Sequence, residues 1–369
     1  MHRPDDQRPA ERLTSTGLPA TAASPLPRPL VDGCQVPLVD RHDSALLDLD
    51  GVLYAGPAAV PGAVDAVARA REAGLRVAFV TNNASRTPQT VAAHLRDLGI
   101  AAEPGDVVTS AQAAAALVAA DVPPGSAVLV VGGEGLDAAV VELGLRPVRT
   151  AADGPVAVVQ GFGPDVGWRL LAEGTYAVRA GLPWTASNLD TTVPTAQGLA
   201  PGNGTLVSVI AQATGRAPVV AGKPETPLYL EAVRRIGAEC PIVVGDRLDT
   251  DIEGANRAGF ASLLVLTGVT TAADLVLAAP ALRPTYVARD LWAGLTEPHP
   301  PADRTGPTSA WHCGGWDCTV VAGAGELTGN GTGIDGLRAV CAAVWDRDAD
   351  ADTDVDAAAV DEVLARLEL

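Results

Sequence analysis

The sequence predicts an α/β protein whose core is a doubly wound parallel sheet, and three observations lead to this prediction. Short runs rich in Val, Leu and Ala, such as RVAFVTNN and PIVVGD, alternate with helix-length segments between residues 44 and 290. Several of those segments, such as AVDAVARAREAG, stop at a glycine, as helices commonly do. Apolar runs without an exposed polar face are typical of parallel strands covered by helices on both sides.

The two ends of the chain differ from this pattern. Residues 1–43 are rich in Pro, Arg and Ser and show no hydrophobic period, which is typical of a disordered tail. Residues 295–307 contain LTEPHPPADRTGP and are predicted to be a linker into a small C-terminal extension, 308–369.

Composition argues against two classes of partner. Asp and Glu number 44 against 26 Lys and Arg, giving a formal net charge of -18, so we expect no nucleic acid partner. No apolar run approaches the roughly 18 residues of a membrane span, and the N-terminus lacks the apolar region of a signal peptide. Five scattered cysteines fit reduced thiols. We expect a cytoplasmic protein with no membrane partner.

Polar residues follow the apolar runs where strands are predicted to end. Asp48 and Asp50 follow the first run, and Asp246 follows PIVVG, with Asp251 further on at a predicted helix start. Side chains repeat every second residue along a strand, so both carboxylates of the DLD triplet can point to one site. Ligands of open parallel sheets bind beyond the carboxyl ends of strands, so these acids predict one cleft.

Two further features belong to the same predicted cleft. Thr81, Asn82 and Asn83 follow the second run and supply a hydroxyl, amides and backbone N–H groups that can hold an anion. Lys223 is the only lysine among the 26 basic residues. An ammonium is a compact point charge that approaches a small anion where a planar guanidinium does not fit.

The segments DLDGVLY, TNNAS, GKP and VGDRLDTDIEGANRAG together resemble the four motifs of the haloacid dehalogenase superfamily, and more narrowly its subfamily IIA phosphatases. The resemblance implies that Asp48 is the nucleophile and Asp50 the general acid and base. It implies a catalytic and phosphate-binding Lys223, and phosphate binding at Thr81 with its two asparagine neighbours. The implied cofactor is Mg²⁺, held by Asp48, the backbone carbonyl of Asp50 and Asp246, with Asp251 in support.

The resemblance also implies a C2-type cap domain inserted in the core. Its stretch TASNLDTTVPTAQGLAPGNG resembles the loop that closes over the substrate, and this assigns substrate specificity to Asn188, Asp190 and Val193. The expected domains, in chain order, are the tail (1–43), the first part of the core (44–123), the cap (124–216), the second part of the core (217–294), the linker (295–307) and an α+β extension similar to a fragment of an acetyltransferase (308–369).

The expected function is Mg²⁺-dependent hydrolysis of a small phosphomonoester through an aspartyl-phosphate. The layout with its extension is similar to a glycerol 3-phosphate phosphatase subgroup, so glycerol 3-phosphate is the first substrate to expect. Sugar phosphates, nucleotides and pyridoxal phosphate stay open as substrates, and a non-catalytic phosphate-ligand sensor is the alternative from another class. The extension is expected to serve packing or homodimerisation.

Other sites fit the sequence less well. A Walker A loop fails because Ala217 and Pro224 stand where Gly and Ser or Thr are needed. A serine hydrolase would need a G-x-S-x-G elbow, which the sequence lacks. The acidic run 346–356 has Ala351 at the glycine position of a calcium loop and indicates a solvated linker. Zinc at His312, Cys313 and Cys318 lacks a second ligand pair at the usual spacing.

Overall fold

The computed structural model describes residues 27–195, 197–305, 310–321, 324–347 and 357–369. The described strands are, in chain order, β1 (Ser44–Leu47), β2 (Tyr54–Ala55), β3 (Ala58–Ala59), β4 (Arg76–Thr81), β5 (Val107–Thr109), β6 (Ala127–Val131), β7 (Arg146–Val148), β8 (Ala157–Gln160), β9 (Trp184–Ala186), β10 (Thr192–Thr195), β11 (Gly198–Pro201), β12 (Val219–Val220), β13 (Pro241–Gly245), β14 (Ala261–Val265), β15 (Tyr286–Ala288), β16 (Asp303–Thr305), β17 (Ala310–Cys313), β18 (Trp316–Val321) and β19 (Ala324–Gly329).

The described α-helices are α1 (Leu38–Arg41), α2 (Ala63–Glu72), α3 (Pro88–Asp97), α4 (Ser110–Asp121), α5 (Glu134–Glu142), α6 (Trp168–Arg179), α7 (Asn203–Thr214), α8 (Pro227–Ile236), α9 (Glu253–Ala258), α10 (Ala272–Val276), α11 (Leu291–Thr296), α12 (Gly333–Arg347) and α13 (Ala357–Leu364). A π-helical turn, Leu248–Ile252, precedes α9. Among these helices none is long and apolar enough to cross a membrane.

The core is a six-stranded parallel sheet in the order β15-β14-β13-β1-β4-β5, which confirms the predicted fold class. Strand β1 lies between β13 and β4, with Leu47 opposite Val244 on one side and Phe79 on the other. Leu47 packs into the apolar cluster on one face, whereas Leu46 packs into the cluster on the other face. A strand buried on both faces needs a continuous apolar run, which is why β1 reads SALL.

The inserted segment forms a second parallel sheet in the order β12-β9-β8-β6-β7. The antiparallel hairpin β10–β11 comes directly after β9 in the chain. The C-terminal part forms an antiparallel sheet, β16-β17-β18-β19, on which α12 packs. Its apolar cluster includes Leu264 of β14 and Val287 of β15, so the C-terminal part shares a core with the main sheet.

The predicted disordered tail at 1–43 is wrong for its last part. Residues 1–26 lie outside the described residues, but Leu30 is buried against the C-terminal cluster and Leu38 against the main core. Helix α1 places Val39 in that core as well. The segment LVDGCQVPLVD carries enough apolar side chains to pack, a feature that the surrounding Pro and Arg obscure.

The predicted linker at 295–307 is also wrong, because this segment packs and pairs with other parts of the chain. His299 is buried, and its backbone exchanges two hydrogen bonds with Cys34, at 2.7 and 2.8 Å. Asp303–Thr305 is strand β16 and pairs with β17. The segment therefore belongs to packed structure up to residue 305, where the described range stops.

Candidate active site

Three carboxylates meet at the carboxyl edge of the main sheet. Asp48 follows β1, Asp246 follows β13, and Asp251 lies in the π-helical turn after β13. Each offers an oxygen atom, and these atoms lie within 4.8 Å of one another. Because β1 and β13 are adjacent and parallel, the sheet itself brings Asp48 and Asp246 side by side. The structure therefore brings these predicted acids together at one edge of the sheet.

Lys223 is the cation of this cluster. Its Nζ donates to Asp48 Oδ1 at 2.5 Å and to Asp251 Oδ1 at 2.8 Å. The side chains of Lys223 and Asp251 are 3% and 1% exposed, while that of Asp48 is 16% exposed. Asp251 Oδ2 also accepts from Arg247 N–H at 3.2 Å, so both of its oxygens are used. Asp48 is thus the member of the pair that a ligand can reach.

The cluster holds more negative than positive charge. Burial raises the pKa of Asp48 to about 8, and Lys223 only partly offsets that effect. Burial, and then the charge of Asp251, raise the pKa of Asp246 to about 6. Asp246 Oδ1 is buried without a hydrogen-bond partner among the described residues. Oxygen donors with excess negative charge and an unpaired acceptor fit a hard divalent cation such as Mg²⁺.

Two glycines make room for Asp246. A Cβ at Gly51, which has a φ of +80°, would lie 2.5 Å from Asp246 Oδ2. A Cβ at Gly268 would lie 2.0 Å from the same oxygen. Any side chain at either position would collide with the carboxylate. The residue after the DLD triplet is therefore glycine for a steric reason as well as for its backbone conformation.

The loop after β14 was missed by the sequence analysis. Val269 N–H donates to Asp246 Oδ2 at 2.7 Å, and Thr267 Oγ donates to the carbonyl of Gly51 at 2.5 Å. These bonds fix the orientation of Asp246 and the turn after Asp50. In the run ASLLVLTG the hydroxyl residue Thr267 follows the apolar strand residues, as the polar residues after β1 and β4 do, so the same pattern could have identified it.

Asp50 lies at the exposed mouth of the site. Surrounding protein atoms desolvate its carboxyl group and raise its pKa, while the charges of Arg86, Lys223 and His94 act in the opposite direction. Tyr54 packs edge to face against His94, with ring centroids 5.1 Å apart. The sequence pattern did not reveal Tyr54, Arg86 and His94, because only the folding of β2, of α3 and of the loop before α3 places them around Asp50.

The threonine and asparagines after β4 have different surroundings. Thr81 is buried and its Oγ accepts from Asn83 N–H at 3.0 Å, which leaves the hydroxyl hydrogen free to donate. Asn83 Oδ1 accepts from the backbone and the hydroxyl of Ser85, each at 2.9 Å. Asn82 does not present its amide to the cleft, because Lys223 and Asp190 use it, as described below. With its side-chain amide engaged by protein groups, phosphate binding at Asn82 would use the backbone N–H group, and this role stays a prediction.

The three cap residues are not equivalent. Asp190 reaches the core through Asn82 Nδ2, at 3.2 and 3.3 Å from its two oxygens. Asn188 is buried, and its Oδ1 accepts from Asp190 N–H at 3.1 Å, so its amide supports the loop. Val193 is half-buried on β10. Direct contact with a substrate at these three positions stays a prediction.

The alternative metal sites find no support in the described part of the chain. Cys313 and Cys318 are buried, whereas His312 is exposed to a large extent and pairs with Asp317 at 3.0 Å. The cluster of Asp48, Asp246 and Asp251 is the one metal-ligating group found among the described residues. Most of the acidic run 346–356 lies outside the described residues.

Comparison with known proteins defines the class. Residues 45–146 match the family model described as haloacid dehalogenase-like hydrolase, and residues 220–294 match a HAD-hydrolase-like model. Residues 313–369 match a model described as GCN5-related N-acetyltransferase like domain. The chain belongs to the haloacid dehalogenase-like hydrolase family, as its motifs predicted.

The most similar of the relatives described here are phosphatases. The chain is 47% identical over 321 residues to D-glycerol 3-phosphate phosphatase of Mycobacterium tuberculosis, covering 85% of this chain and 88% of the relative. It is 36% identical to acid sugar phosphatase of Staphylococcus aureus, covering 70% of this chain and 98% of the relative. The crystal structure of M. tuberculosis glycerol phosphate phosphatase in complex with magnesium superposes with a TM-score of 0.77 at 48% identity, covering 84% of this chain and 92% of that one.

Proposed function

We propose that the protein is a Mg²⁺-dependent phosphatase that hydrolyses glycerol 3-phosphate through an aspartyl-phosphate on Asp48. The observation that carries the proposal is the accessible carboxylate of Asp48 beside the buried ammonium of Lys223, within a cluster that has three carboxylates and one ammonium. A carboxylate attacks a phosphoryl group only where cationic donors offset the mutual repulsion.

The first half of the reaction transfers the phosphoryl group. An oxygen of Asp48 bonds to phosphorus, and the bond from phosphorus to the ester oxygen breaks. Asp50 donates its proton to the departing alkoxide. The raised pKa of Asp50 favours the protonated form that this step needs. Lys223 and the hydroxyl of Thr81 hold the phosphoryl oxygens in this scheme.

The second half releases phosphate. Asp50, now a carboxylate, takes a proton from a water molecule as the water oxygen bonds to phosphorus. The bond from phosphorus to Asp48 breaks and returns the nucleophile. The same side chain thus acts first as acid and then as base, and the net reaction consumes one water for each ester.

Asp48, Asp246 and the backbone carbonyl of Asp50 are the residues that we expect to hold Mg²⁺. When bound, the ion neutralises negative charge on the transferring phosphoryl group. Asp251 uses both oxygens for Lys223 and Arg247, so its role is to hold the lysine.

Two findings support glycerol 3-phosphate over other esters. The mycobacterial relative is named for that substrate and matches 85% of this chain. The sugar phosphatase relatives match 70% of the chain although 98% of their own length is covered, so their likeness stops short of the whole layout. Sugar phosphates remain the second candidate because of that likeness.

The test is release of inorganic phosphate from a panel of esters with Mg²⁺. The panel contains glycerol 3-phosphate, hexose phosphates, a nucleoside monophosphate, pyridoxal phosphate and an aryl phosphate. We expect the highest kcat/KM with glycerol 3-phosphate. A higher value for a hexose phosphate would overturn the substrate assignment, and binding without turnover of any ester would replace the enzyme with a sensor.

We further place the enzyme in the cytoplasm, which its five free thiols support. A homodimer is the assembly that we propose to test. Trp168 and Tyr176 on α6 are 77% and 56% exposed, and aromatic residues of this kind are common at interfaces. Sedimentation at several concentrations gives the state of the chain, and a monomer throughout would refute the dimer.

A further inference from the structure

The side chain of Asn82 is bound to both peptide groups of the catalytic lysine. Asn82 Oδ1 accepts from Lys223 N–H at 2.8 Å, and Asn82 Nδ2 donates to Lys223 O at 3.2 Å. The two residues are 141 positions apart in the chain. A Cβ at Gly222 would lie 2.5 Å from Asn82 Oδ1, so the glycine permits this close approach. The backbone of Lys223 is therefore fixed by a residue of the loop after β4.

The same amide also holds the cap. Asn82 Nδ2 donates to the carboxylate of Asp190, at 3.2 Å from Oδ1 and 3.3 Å from Oδ2. An asparagine amide has two N–H donors, and here one serves Lys223 O while the other serves Asp190. Burial raises the pKa of Asp190, whereas the hydrogen bond from Asn82 acts to lower it. One side chain thus joins the lysine to the cap loop.

The backbone carbonyl of Asn82 is also hydrogen-bonded, and one of its two donors belongs to the cap loop. Asn188 Nδ2 donates to the carbonyl of Asn82 at 2.7 Å, and Ser110 Oγ donates to the same carbonyl at 2.5 Å. Asn203, the first residue of α7, donates to the carbonyl of Asn188 at 2.7 Å. The backbone and the side chain of Asn82 are therefore both hydrogen-bonded to residues of the cap loop, and the side chain is also hydrogen-bonded to Lys223.

We propose that Asn82 is a positioning residue that couples the cap loop at 188–190 to the placement of the Lys223 ammonium beside Asp48. The proposal rests on the phosphatase function proposed above. It predicts that an altered Asn82 changes the rate of phosphoryl transfer through the lysine and changes substrate binding through Asp190. The two effects are separable because they use different N–H donors of one amide.

Three variants separate the two effects. Asn82→Ala removes every side-chain bond. Asn82→Asp keeps the volume and the acceptor for Lys223 N–H, but it places a carboxylate against Asp190 and against Lys223 O. The double variant Asn82→Asp/Asp190→Asn restores a donor and an acceptor at the cap contact only. Asn256→Ala is the matched control, because Asn256 Nδ2 likewise donates to two partners, the backbone carbonyls of Ala281 and Arg283, neither of which belongs to the site.

The kinetic result distinguishes positioning from a purely structural role. We expect kcat with glycerol 3-phosphate to fall by about 100-fold in Asn82→Ala and Asn82→Asp, since small misplacements at the reacting centre have effects of that size. KM should rise in Asn82→Asp and return toward the parental value in the double variant while kcat stays low. Asn256→Ala should lower Tm and leave both constants unchanged. Parental constants in Asn82→Ala, or a KM that the double variant does not restore, would overturn the proposal.

Hydrogen exchange gives a test that does not depend on turnover. The amide hydrogen of Lys223 is bonded to Asn82 Oδ1, so this one amide, followed in peptides covering residues 219–226, should exchange at least about 10-fold faster in Asn82→Ala, because a lost hydrogen bond exposes the amide to local opening. Asn256→Ala should leave the exchange of this amide unchanged. If the parent hydrolyses no ester, the phosphatase proposal fails while exchange still tests the link. Parental protection in Asn82→Ala would refute the link whatever the activity.

Discussion

Two buried ionic clusters in this molecule differ in one respect. At the main sheet, Lys223 lies between Asp48 and Asp251, and Asp246 adds a third carboxylate, one oxygen of which has no hydrogen-bond partner within the described ranges. At the C-terminal part, Arg338 donates to Asp335 at 2.6 Å and to the carbonyl of Val287 at 2.8 Å. The first cluster has more carboxylates than cations, and we call it the unbalanced cluster. The second pairs one carboxylate with one guanidinium, and we call it the balanced cluster.

The balanced cluster continues through a neutral histidine. Arg338 also donates to His299 Nδ1 at 3.0 Å, which places the ring proton on Nε2, where it donates to Gly294 O at 2.8 Å. Thr332 Oγ satisfies the second oxygen of Asp335 at 2.7 Å. A buried network with every group paired holds segments together, whereas one with an unpaired charge is suited to a ligand. We therefore interpret the balanced cluster as structural and the cluster at the main sheet as a ligand-binding site.

The largest effect should come from Asp48→Asn. It removes the nucleophile with almost no change in shape, so we expect kcat to fall by at least about 1000-fold while the protein stays folded. Phosphate release and Tm measure the two outcomes. Asp249→Asn is the control, because Asp249 is 63% exposed and pairs with Arg247 outside the cluster. Comparable turnover by parent and Asp48→Asn would exclude the covalent mechanism.

The next effect concerns Lys223→Arg, which keeps the charge. The ammonium fits between Asp48 and Asp251, and a planar guanidinium is wider, so one partner is displaced. We expect kcat/KM to fall by about 100-fold, roughly 2.7 kcal/mol of transition-state stabilisation. Near-parental kinetics would remove the lysine from the mechanism.

The mirror substitution in the balanced cluster is Arg338→Lys. A lysine cannot reach Asp335, Val287 O and His299 together, so at least one buried acceptor loses its donor. We expect a loss of about 2 kcal/mol in the free energy of unfolding, within the usual range for an unsatisfied buried group. Urea denaturation measures the loss. A fall in kcat without a loss of stability would contradict the structural role of this cluster and show that it contributes to catalysis.

The smallest effect is a pH dependence of stability. Burial lowers the pKa of His299 to about 4 from an ordinary value of 6.5. The unfolded chain therefore binds a proton at a higher pH than the folded chain, and stability falls as pH falls through 6.5. His299 should account for a loss of about 1 kcal/mol between pH 7.5 and 6.

The variant His299→Gln isolates this contribution, because the glutamine amide supplies one acceptor and one donor without titrating. His42, whose pKa burial also lowers to about 4, is present in both proteins and cancels in the difference. Urea denaturation of both proteins at the two pH values gives that difference. The same pH dependence in parent and variant would show that His299 is not the titrating group.

The sequence could predict the unbalanced cluster better than the balanced one. Asp48, Thr81 and Asp246 follow apolar runs, and adjacent parallel strands bring such residues together whatever packs elsewhere. Arg338 and His299 meet because α12 lies against β15 and the segment before β16 folds back on Cys34. Those are long-range contacts without a local pattern, and the same is true of Asn82, whose sequence context indicated an anion site.

The central claim is that the excess charge at Asp48, Asp246 and Asp251 makes a cation site. Calorimetric titration of Mg²⁺ into chelator-treated protein tests it most directly, with Asp246→Asn and Arg338→Lys measured in parallel. The account predicts binding of Mg²⁺ by the parent and by Arg338→Lys, and a loss of binding of at least about 10-fold in Asp246→Asn, since one charged ligand is gone. Equal binding by parent and Asp246→Asn, or no binding by the parent, would contradict it.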